Sequence, residues 1–375
     1  MHEADRGLFD LRRGRPLYVR SAEGRASAAP VLLAAVEGLN RQTLDQLRRL
    51  DGGPLRLAVT QHRARFMGLA ADHSRSMSVG LNGRTDPDQI VRLSTALCTS
   101  AKDTHDLREA SAAEVGGLTL ARLGHLLPAI VGVPADTDRS PELRRLLESG
   151  AVLTATTEQI EAMATNNRLE LTYVSEGPVP LEEAENSRFM MFREANGLLE
   201  HVAVVIGDRE SWPDPVPVRL HSACLTGDLF GSLRCDCGDQ LRGSLRVFAA
   251  KGGGVLLYLA QEGRGIGLGN KLRAYVLQQG GLDTVDADGT LGFGADERRY
   301  DAAIEMLRYL RIDRVLLLTN NPEKVRALEE GGIHVKGRQP LFGTINDHNL
   351  RYVKAKVQRA GHWLEEMLSG AVTAK

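Results

Sequence analysis

Short apolar runs alternate with stretches of helical periodicity along the whole chain, and this alternation is the strongest constraint on its fold. The runs with the length and composition of buried strands are 31–36, 55–60, 201–206, 254–259 and 315–318. The stretches with the apolar spacing of a helix are 43–50, 113–127, 241–249 and 302–310. Strands that alternate with helices are typical of α/β proteins. We therefore predict an α/β fold.

The length of the chain predicts two domains. It has 375 residues, about twice the size of a common single domain. Residues 176–186 contain proline, glycine and several acidic residues, a composition typical of an interdomain connection. We place the boundary in this segment, give or take ten residues, which predicts two α/β domains at residues 1–180 and 190–368.

Composition excludes several classes of protein. Hydrophobic residues make up 42% of the chain and charged residues 25%, without a long apolar run, which argues against membrane-spanning, fibrous and disordered proteins. The net charge of −1 gives no reason to expect a nucleic-acid or membrane partner. Nothing near the N-terminus resembles a signal peptide, so we expect a cytoplasmic protein.

Three of the four cysteines lie close together in the sequence: Cys224, Cys235 and Cys237. One residue separates the last two, a spacing poorly suited to a disulfide, so reduced thiols are expected. Three thiolate ligands would form an open, catalytic zinc site, because the fourth position stays available for water. The alternative is a structural site in which His221 is the fourth ligand. Cys98 has no partner motif and is expected to be an ordinary buried thiol.

A glycine-rich segment, residues 261–271, follows the predicted strand 254–259. Its glycines allow a ligand close to the backbone, but its offsets fit neither the P-loop nor the dinucleotide-binding motif. Glu262 has a carboxylate that could accept the paired N–H groups of a guanine edge. A plain loop is the alternative.

Two further segments carry charge close to predicted strands or helices. In residues 293–300, Asp296 is either a proton acceptor or a residue near a helix N-cap, and Arg298 is either a phosphate ligand, an unusual nucleophile or a solvated side chain. Residues 319–324 open a predicted helix whose N–H groups, with Lys324, suit a phosphate.

These segments together resemble GTP cyclohydrolase II. The stretches that carry the resemblance follow in the family's order within residues 190–365, and they are 219–228, 232–238, 261–268, 272–275 and 318–322. The resemblance implies a mixed sheet with flanking helices in the second domain. It also implies that one zinc ion per subunit, with Mg²⁺ on the GTP phosphates, converts GTP to 2,5-diamino-6-(5-phospho-D-ribosylamino)pyrimidin-4(3H)-one, formate and pyrophosphate. This is the first step of riboflavin biosynthesis, and a homodimer is expected.

The resemblance also implies roles for individual residues. Cys224, Cys235 and Cys237 would ligate the zinc, whose water attacks C8 of the guanine ring. The positions that match GTP contacts are Arg219, Leu220, His221, Ser222, Ala223, Gln240, Glu262, Gly263, Arg264, Thr284, Thr319 and Lys324. Asp296 matches a proton acceptor, Arg298 matches a nucleophile for pyrophosphate loss, and Tyr275 matches a tyrosine implicated in completing ring opening.

Two positions depart from the family's pattern. The family commonly has Glu where this chain has Ala223, and Asp where it has Arg299. A contact with GTP at position 223 would therefore come from the backbone. Two other functions stay open: a related enzyme that stops at the formylated intermediate or uses another nucleotide, and a nucleotide-binding regulator with a structural zinc.

The first domain resembles 3,4-dihydroxy-2-butanone 4-phosphate synthase. Residues 13–19 and 31–36 are similar to that family's first two strands. Between them the family has a dense acidic run that binds Mg²⁺ and substrate, whereas residues 21–30 of this chain contain one carboxylate, Glu23. Hard cations need several oxygen ligands, so we predict an inactive remnant that scaffolds the enzyme or helps it dimerise.

Overall fold

The computed structural model describes residues 2–22, 29–50, 53–69, 75–97, 104–165 and 169–350, and the single positions 357, 359, 361 and 363. The chain divides into two compact units. The first contains Met1–Asn166 and Gly269–Glu297, and the second contains Asn167–Leu268 and Arg298–Lys375. Cys98 lies outside the described residues. No helix in the described part of the chain is both long enough and apolar enough to span a membrane.

The described residues form strands and helices in alternation. The strands are β1 (Leu17–Arg20), β2 (Val31–Ala35), β3 (Arg56–Val59), β4 (Met77–Leu81), β5 (Thr104–Glu109), β6 (Ala129–Pro134), β7 (Leu153–Thr156), β8 (Leu171–Pro178), β9 (Ser187–Glu194), β10 (Glu200–Ile206), β11 (Val216–Ser222), β12 (Gly254–Leu259), β13 (Arg314–Leu318) and β14 (His334–Gln339). The helices are α1 (His2–Arg12), α2 (Arg41–Arg49), α3 (Gln61–Phe66), α4 (Pro87–Thr95), α5 (Ala112–Leu123), α6 (Pro141–Glu148), α7 (Thr157–Thr165), α8 (Leu225–Asp228), α9 (Cys237–Ala250), α10 (Leu268–Gln279), α11 (Thr284–Thr290), α12 (Asp301–Tyr309) and α13 (Pro322–Glu330).

Each unit contains one seven-stranded mixed sheet. The order in the first is β5-β4-β3-β6-β2-β1-β7, antiparallel except for the β1–β7 pair. The order in the second is β14-β13-β11-β12-β10-β9-β8. In this second sheet β12, β11, β13 and β14 run parallel, and β10, β9 and β8 add antiparallel pairs. The predicted α/β class and the mixed second sheet are therefore confirmed.

The core of the second unit lies on both faces of its sheet, because its central strands carry apolar side chains on both sides. Val218 and Leu220 of β11 point to the side where Leu257 and helix α12 pack. On the other side Phe248 of α9 is fully buried against Leu256. The three strands β12, β11 and β13 are parallel, so their carboxyl ends meet at one edge of this sheet.

The interpretation of residues 176–186 as an interdomain connection is wrong. Strand β8 pairs antiparallel with β9 from Leu171 to Pro178, so the segment that follows is the connection of a hairpin inside the second sheet. Its proline, glycine and acidic residues suit an exposed turn as well as they suit a linker. The two units separate instead between Asn166 and Asn167, and Gly269–Glu297 belongs with the first.

Glu114 of α5 is a nearly buried carboxylate held by several donors in the first unit. Arg108 donates two hydrogen bonds to it, at 2.8 and 2.9 Å. The Ser78 hydroxyl and the backbone N–H of Ser111 donate two more, at 2.8 and 2.7 Å. Burial by itself would raise the pKa of Glu114, but these hydrogen bonds hold it below its usual value. The ionised carboxylate therefore stabilises this unit.

Replacing this carboxylate should destabilise the fold in a pH-dependent way. Glu114→Gln places an amide nitrogen against donors, and we expect it to lower the free energy of unfolding by about 3 kcal/mol at neutral pH. A lowered folded pKa gives a stabilisation that is complete above the unfolded value of 4.5 and is lost as pH falls toward the folded value. Urea unfolding at about pH 7 and about pH 3.5 measures both. The control is Glu161→Gln, an exposed residue of α7; an equal loss at both pH values would contradict the assignment.

Candidate functional site

Three thiols converge at the carboxyl edge of the second sheet. Cys224 follows β11, Cys237 is the first residue of α9, and Cys235 lies in the connection between α8 and α9. The three sulfur atoms all lie within 4.8 Å of one another, and the Sγ atoms of Cys224 and Cys235 are 3.6 Å apart. Sulfurs on a tetrahedral zinc, each about 2.3 Å from the metal, are about 3.8 Å apart. The cluster therefore has the dimensions of a three-thiolate metal site.

The backbone at Gly227 leaves room for this cluster. A Cβ atom at that position would lie 2.6 Å from the Sγ of Cys235 and 3.1 Å from the Sγ of Cys224. Both distances are too short for ordinary contact, so any side chain here would displace the sulfurs. The cluster fits a bound metal ion because glycine leaves the sulfurs uncrowded.

The thiols resist ionisation as long as no cation is near. Hydrogen bonding to the Cys224 thiol, with burial, raises the pKa of Cys235 to about 11. Hydrogen bonds to both neighbouring thiols, followed by burial, also raise the pKa of Cys237. A bound cation removes this penalty, because its charge stabilises thiolates directly. The electrostatics of the cluster thus favour binding of a metal over three free thiolates.

Asp228, the last residue of α8, binds the backbone N–H of Cys224 and so fixes the first cysteine of the cluster. Its side chain is 6% exposed and accepts hydrogen bonds from the Cys224 N–H at 3.0 Å and the Tyr258 hydroxyl at 2.9 Å. The Nε2 of His221 lies 3.0 Å from Oδ1 of the same carboxylate. Burial lowers the pKa of His221 despite Asp228, so the neutral ring donates from Nε2. Burial also raises the pKa of Tyr258, which remains a donor.

These contacts decide the alternative in which His221 is a fourth zinc ligand. Its Nε2 is committed to Asp228, its ring stacks on Tyr258 with centroids 5.6 Å apart, and its Nδ1 is buried without a hydrogen-bond partner among the described residues. Within those residues, the group of side chains placed to hold a metal contains the three cysteines and no histidine. The described structure therefore does not bring His221 into the group of three cysteines, and the open three-cysteine site stays a prediction.

Two buried cations lie at the same edge. Arg219 and Lys324 are each 5% exposed. The guanidinium of Arg219 donates to the Leu318 carbonyl at 2.9 Å, and the ammonium of Lys324 donates to the Leu220 carbonyl at 2.6 Å. Burial lowers the pKa of Arg219, and its Nε is buried without a partner in the described structure. An anionic ligand would compensate charge that carbonyl groups only partly satisfy.

Gln240 connects the guanidinium of Arg219 to the segment that carries Cys235 and Cys237. Its side-chain oxygen accepts from Arg219, and its amide nitrogen donates to Asp236, which lies between the two cysteines of the Cys-x-Cys motif. One hydrogen-bonded chain therefore joins Arg219, Gln240 and Asp236, and the place of Gln240 near the nucleotide stays a prediction.

The glycine-rich segment forms a tight loop after β12. Gly263 and Arg264 both have left-handed backbone conformations, with φ of 64° and 63°. Such a conformation is costly for arginine, and it is a form of strain found at functional sites. The carboxylate of Glu262 accepts from the Leu225 N–H at 2.6 Å and from the Gly263 N–H at 3.2 Å. Glu262 therefore links the glycine-rich loop after β12 to the backbone next to Cys224.

Gln261 joins three segments and was not predicted. It donates to the Ser222 hydroxyl at 3.0 Å, and its oxygen accepts from the Arg299 N–H at 3.1 Å. The backbone next to Arg298, a half-buried residue, is thereby fixed to the ends of β11 and β12. Arg299 itself forms an ion pair with Asp301 at 2.9 Å.

The segment after β13 has the predicted form. Asn321 caps α13 by accepting from the Glu323 N–H, and the Thr319 hydroxyl accepts from the Asn321 N–H at 3.0 Å. Lys324 follows in the first turn of that helix. This confirms that residues 319–324 end a strand and open a helix.

Leu220 and Ala223 carry no polar side chain into this edge. The side chain of Leu220 belongs to the apolar core. Ala223 is half-buried, and its N–H donates to the Leu259 carbonyl at 2.8 Å. Their place among the predicted GTP contacts therefore rests on backbone atoms and stays a prediction.

Three of the predicted site residues belong to the first unit. Tyr275 lies on α10, Thr284 is the first residue of α11, and Asp296 is an exposed residue further along the same segment. Helix α12 starts at Asp301 and its N-cap is Tyr300, so Asp296 is not an N-cap residue. Gly263 and Arg264, like the cysteines and buried cations, lie in the second unit.

A family model and the curated relatives agree on one family. The family model for GTP cyclohydrolase II matches residues 172–340. The chain is 41% identical to GTP cyclohydrolase-2 of Azospirillum brasilense over 96% of its length and 94% of that protein's. It is 36% identical to the riboflavin biosynthesis protein RibBA of Phocaeicola vulgatus over 84% of its own length and 76% of the relative's. A solved two-domain 3,4-dihydroxy-2-butanone 4-phosphate synthase from A. baumannii aligns with 91% of this chain and 99% of that chain at 14% identity and a TM-score of 0.33.

Removing the Asp228 carboxylate, which binds the Cys224 N–H, should weaken metal binding. Asp228→Ala leaves three donors without their acceptor, and loss of such outer contacts typically costs about 10- to 100-fold in metal affinity. Competition with a chromophoric chelator measures the affinity. Glu210→Ala, at an exposed position of the same unit, is the control and should bind metal normally. An unchanged affinity in a folded Asp228→Ala protein would refute this role.

Proposed function

Since the chain belongs to the GTP cyclohydrolase II family, we propose that it is the zinc-dependent enzyme that opens the guanine ring of GTP. The proposed products are formate, pyrophosphate and 2,5-diamino-6-(5-phospho-D-ribosylamino)pyrimidin-4(3H)-one. The observation that carries the proposal is a cluster of three cysteines at the same sheet edge as two buried cations. A metal-assisted hydrolase for a phosphorylated substrate needs both features.

The metal is proposed to be zinc, held by Cys224, Cys235 and Cys237. Three soft thiolate ligands favour zinc over the hard cations Mg²⁺ and Ca²⁺. When bound there, zinc would supply Lewis-acid activation and a water whose pKa is about 7. The chain's own contribution is to hold the thiolates in place through Gly227 and Asp228.

The triphosphate is proposed to interact with Arg219 and Lys324, together with Arg298. Guanidinium and ammonium groups form charge-assisted hydrogen bonds with phosphate oxygens, and the burial of Arg219 and Lys324 strengthens such contacts. Thr319 and the N-terminal turn of α13 add further donors. Mg²⁺ would accompany the phosphates and offset the charge that these residues leave uncompensated.

The guanine base is proposed to bind near Glu262, Gly263 and Arg264. A carboxylate has about four acceptor sites, so Glu262 can accept two N–H groups from a guanine edge while keeping the bond to the Leu225 backbone. Gln240 would lie close to the nucleotide. The backbone of residues 219–223 and Thr284 complete the proposed GTP contacts.

Removal of C8 as formate breaks two C–N bonds, so two leaving nitrogens gain protons. Asp296 is the proposed residue that accepts and returns a proton, and the hydroxyl of Tyr275 is proposed to assist the second cleavage. We propose that water attacks the α-phosphorus as its bond to the pyrophosphate oxygen breaks, and that Arg298 neutralises the charge that develops on the leaving pyrophosphate. A guanidinium stays protonated in proteins, which favours this electrostatic role over a nucleophilic one.

The decisive test is the reaction itself. Purified protein with GTP, Mg²⁺ and Zn²⁺ should release formate and the diaminopyrimidine, and Cys235→Ser should lose this activity because a metal ligand is gone. Cys98→Ser is the matched control and should remain active. Accumulation of a formylated intermediate would indicate the shortened reaction. Turnover by a folded Cys235→Ser protein, or the absence of both products with the unmodified protein, would refute the proposal.

The first 166 residues are proposed to have no synthase activity of their own. Because the first compact unit also needs Gly269–Glu297, the full chain is the correct sample for the assay. We expect no Mg²⁺-dependent consumption of ribulose 5-phosphate, since residues 21–30 contain one carboxylate. The same preparation must turn over GTP, which serves as the control for its integrity. Clear turnover of ribulose 5-phosphate would contradict the expectation.

A further inference from the structure

The guanidinium of Arg63 on α3 is buried and binds backbone carbonyls. Arg63 is 1% exposed. It donates to the carbonyl of Thr290 at 3.0 Å and to the carbonyls of Leu93 and Ala96 at 2.7 and 2.8 Å. Burial lowers the pKa of Arg63 to about 10. A cation is rarely buried among neutral partners unless it fixes a particular arrangement.

The three carbonyls lie at the ends of two helices. Leu93 and Ala96 are at the end of α4, and Thr290 is the last residue of α11. Carbonyl groups at a helix C-terminus lack partners within the helix and carry partial negative charge. One guanidinium therefore joins the end of a helix from residues 1–166 to the end of a helix from residues 269–297.

Other contacts within the first unit also hold residues 269–297 against residues 1–166. The Thr60 hydroxyl donates to the Gly292 carbonyl at 2.6 Å. Gly292 has a left-handed backbone conformation, with φ of +93°. The ring of Phe66 packs so closely on Gly289 that a Cβ there would lie 2.7 Å from it.

Residues at both ends of 269–297 also contact residues 1–166. Near its start, Arg273 donates to Glu37 at 2.8 Å, and Asn270 donates to the His125 carbonyl at 3.1 Å. At its end, Glu297 forms an ion pair with Arg122 at 3.8 Å. Residues 1–166 thus contact this segment from its beginning to its end.

We propose that residues 1–166 act as an intramolecular brace for residues 284–297, with Arg63 as the principal positioning residue. The segment lies inside the part of the chain that matches the GTP cyclohydrolase II model. It carries Thr284 and Asp296, so the inference rests on the proposed function of those residues. The brace gives the N-terminal region a role in the reaction even if it has no chemistry of its own.

The test uses three full-length variants. Arg63→Met removes all three hydrogen bonds at similar side-chain length. Thr60→Val removes the bond to Gly292, and also the N-cap contact of the Thr60 hydroxyl with the Arg63 N–H, with a side chain of equal size. Arg49→Met, at an exposed position of α2, is the matched control. For each protein, hydrogen exchange of the amides in 284–297, kcat and KM for formate release, and the thiolate absorption of the Co²⁺-loaded form are measured.

The brace predicts a specific pattern. Exchange in 284–297 should rise at least about tenfold in Arg63→Met and less in Thr60→Val, because charge-assisted hydrogen bonds are the stronger ones. The kcat should fall about 10- to 100-fold in Arg63→Met, since small displacements of reacting groups have effects of this size. The KM should change less, because Thr284 is one among many proposed GTP contacts and the others belong to the other unit. The Co²⁺ spectrum should not change, because the cysteines belong to the other unit.

Unchanged exchange in 284–297, or raised exchange with normal kcat, would overturn the proposal. If Arg63→Met fails to fold, Thr60→Val gives the same decision from exchange and kcat. If the unmodified protein does not turn over GTP, the proposed function fails, whereas the exchange data still decide whether residues 1–166 brace the segment.

Discussion

Parallel pairing of β11 with β12 and β13 is the constraint on which the candidate site depends. Strands that run in the same direction end at the same edge, so the loops after all three strands meet. These loops carry the first cysteine, the glycine-rich turn and the cap of α13. Without this pairing, residues about 100 positions apart in sequence, such as Arg219 and the carbonyl of Leu318, would have no reason to meet.

Burial of charge and thiols at this edge is costly, and the surrounding structure offsets part of that cost. The carbonyl groups of Leu318 and Leu220 accept hydrogen bonds from Arg219 and Lys324, and Asp228 accepts one from the backbone N–H of Cys224. The remaining imbalance is what a cation at the thiols and an anion at the basic side chains would remove. Ligand binding and the stability of this edge are therefore coupled.

The two units do not follow the division that the sequence suggests. The chain returns to the first unit at Gly269–Glu297, after the metal cluster, and leaves it again before Arg298. The three predicted site residues thus lie in a segment whose neighbouring residues contact residues 1–166. A region without the acidic residues of a synthase can still be needed for catalysis, because rigid placement of reacting groups is itself a catalytic contribution.

The sequence by itself determined the α/β class, five of the strands, four of the helices, and the cysteine motif, because these depend on local periodicity and on residues at short spacing. It placed strands β2, β3, β10, β12 and β13 close to their observed bounds. Only the tertiary structure decided the rest: that His221 binds Asp228 rather than a metal, that Gln261 ties Arg299 to β11, that residues 176–186 belong to a hairpin, and that Arg63 holds a helix more than 220 positions away. These outcomes depend on long-range contacts between polar atoms, whose partners no local pattern specifies.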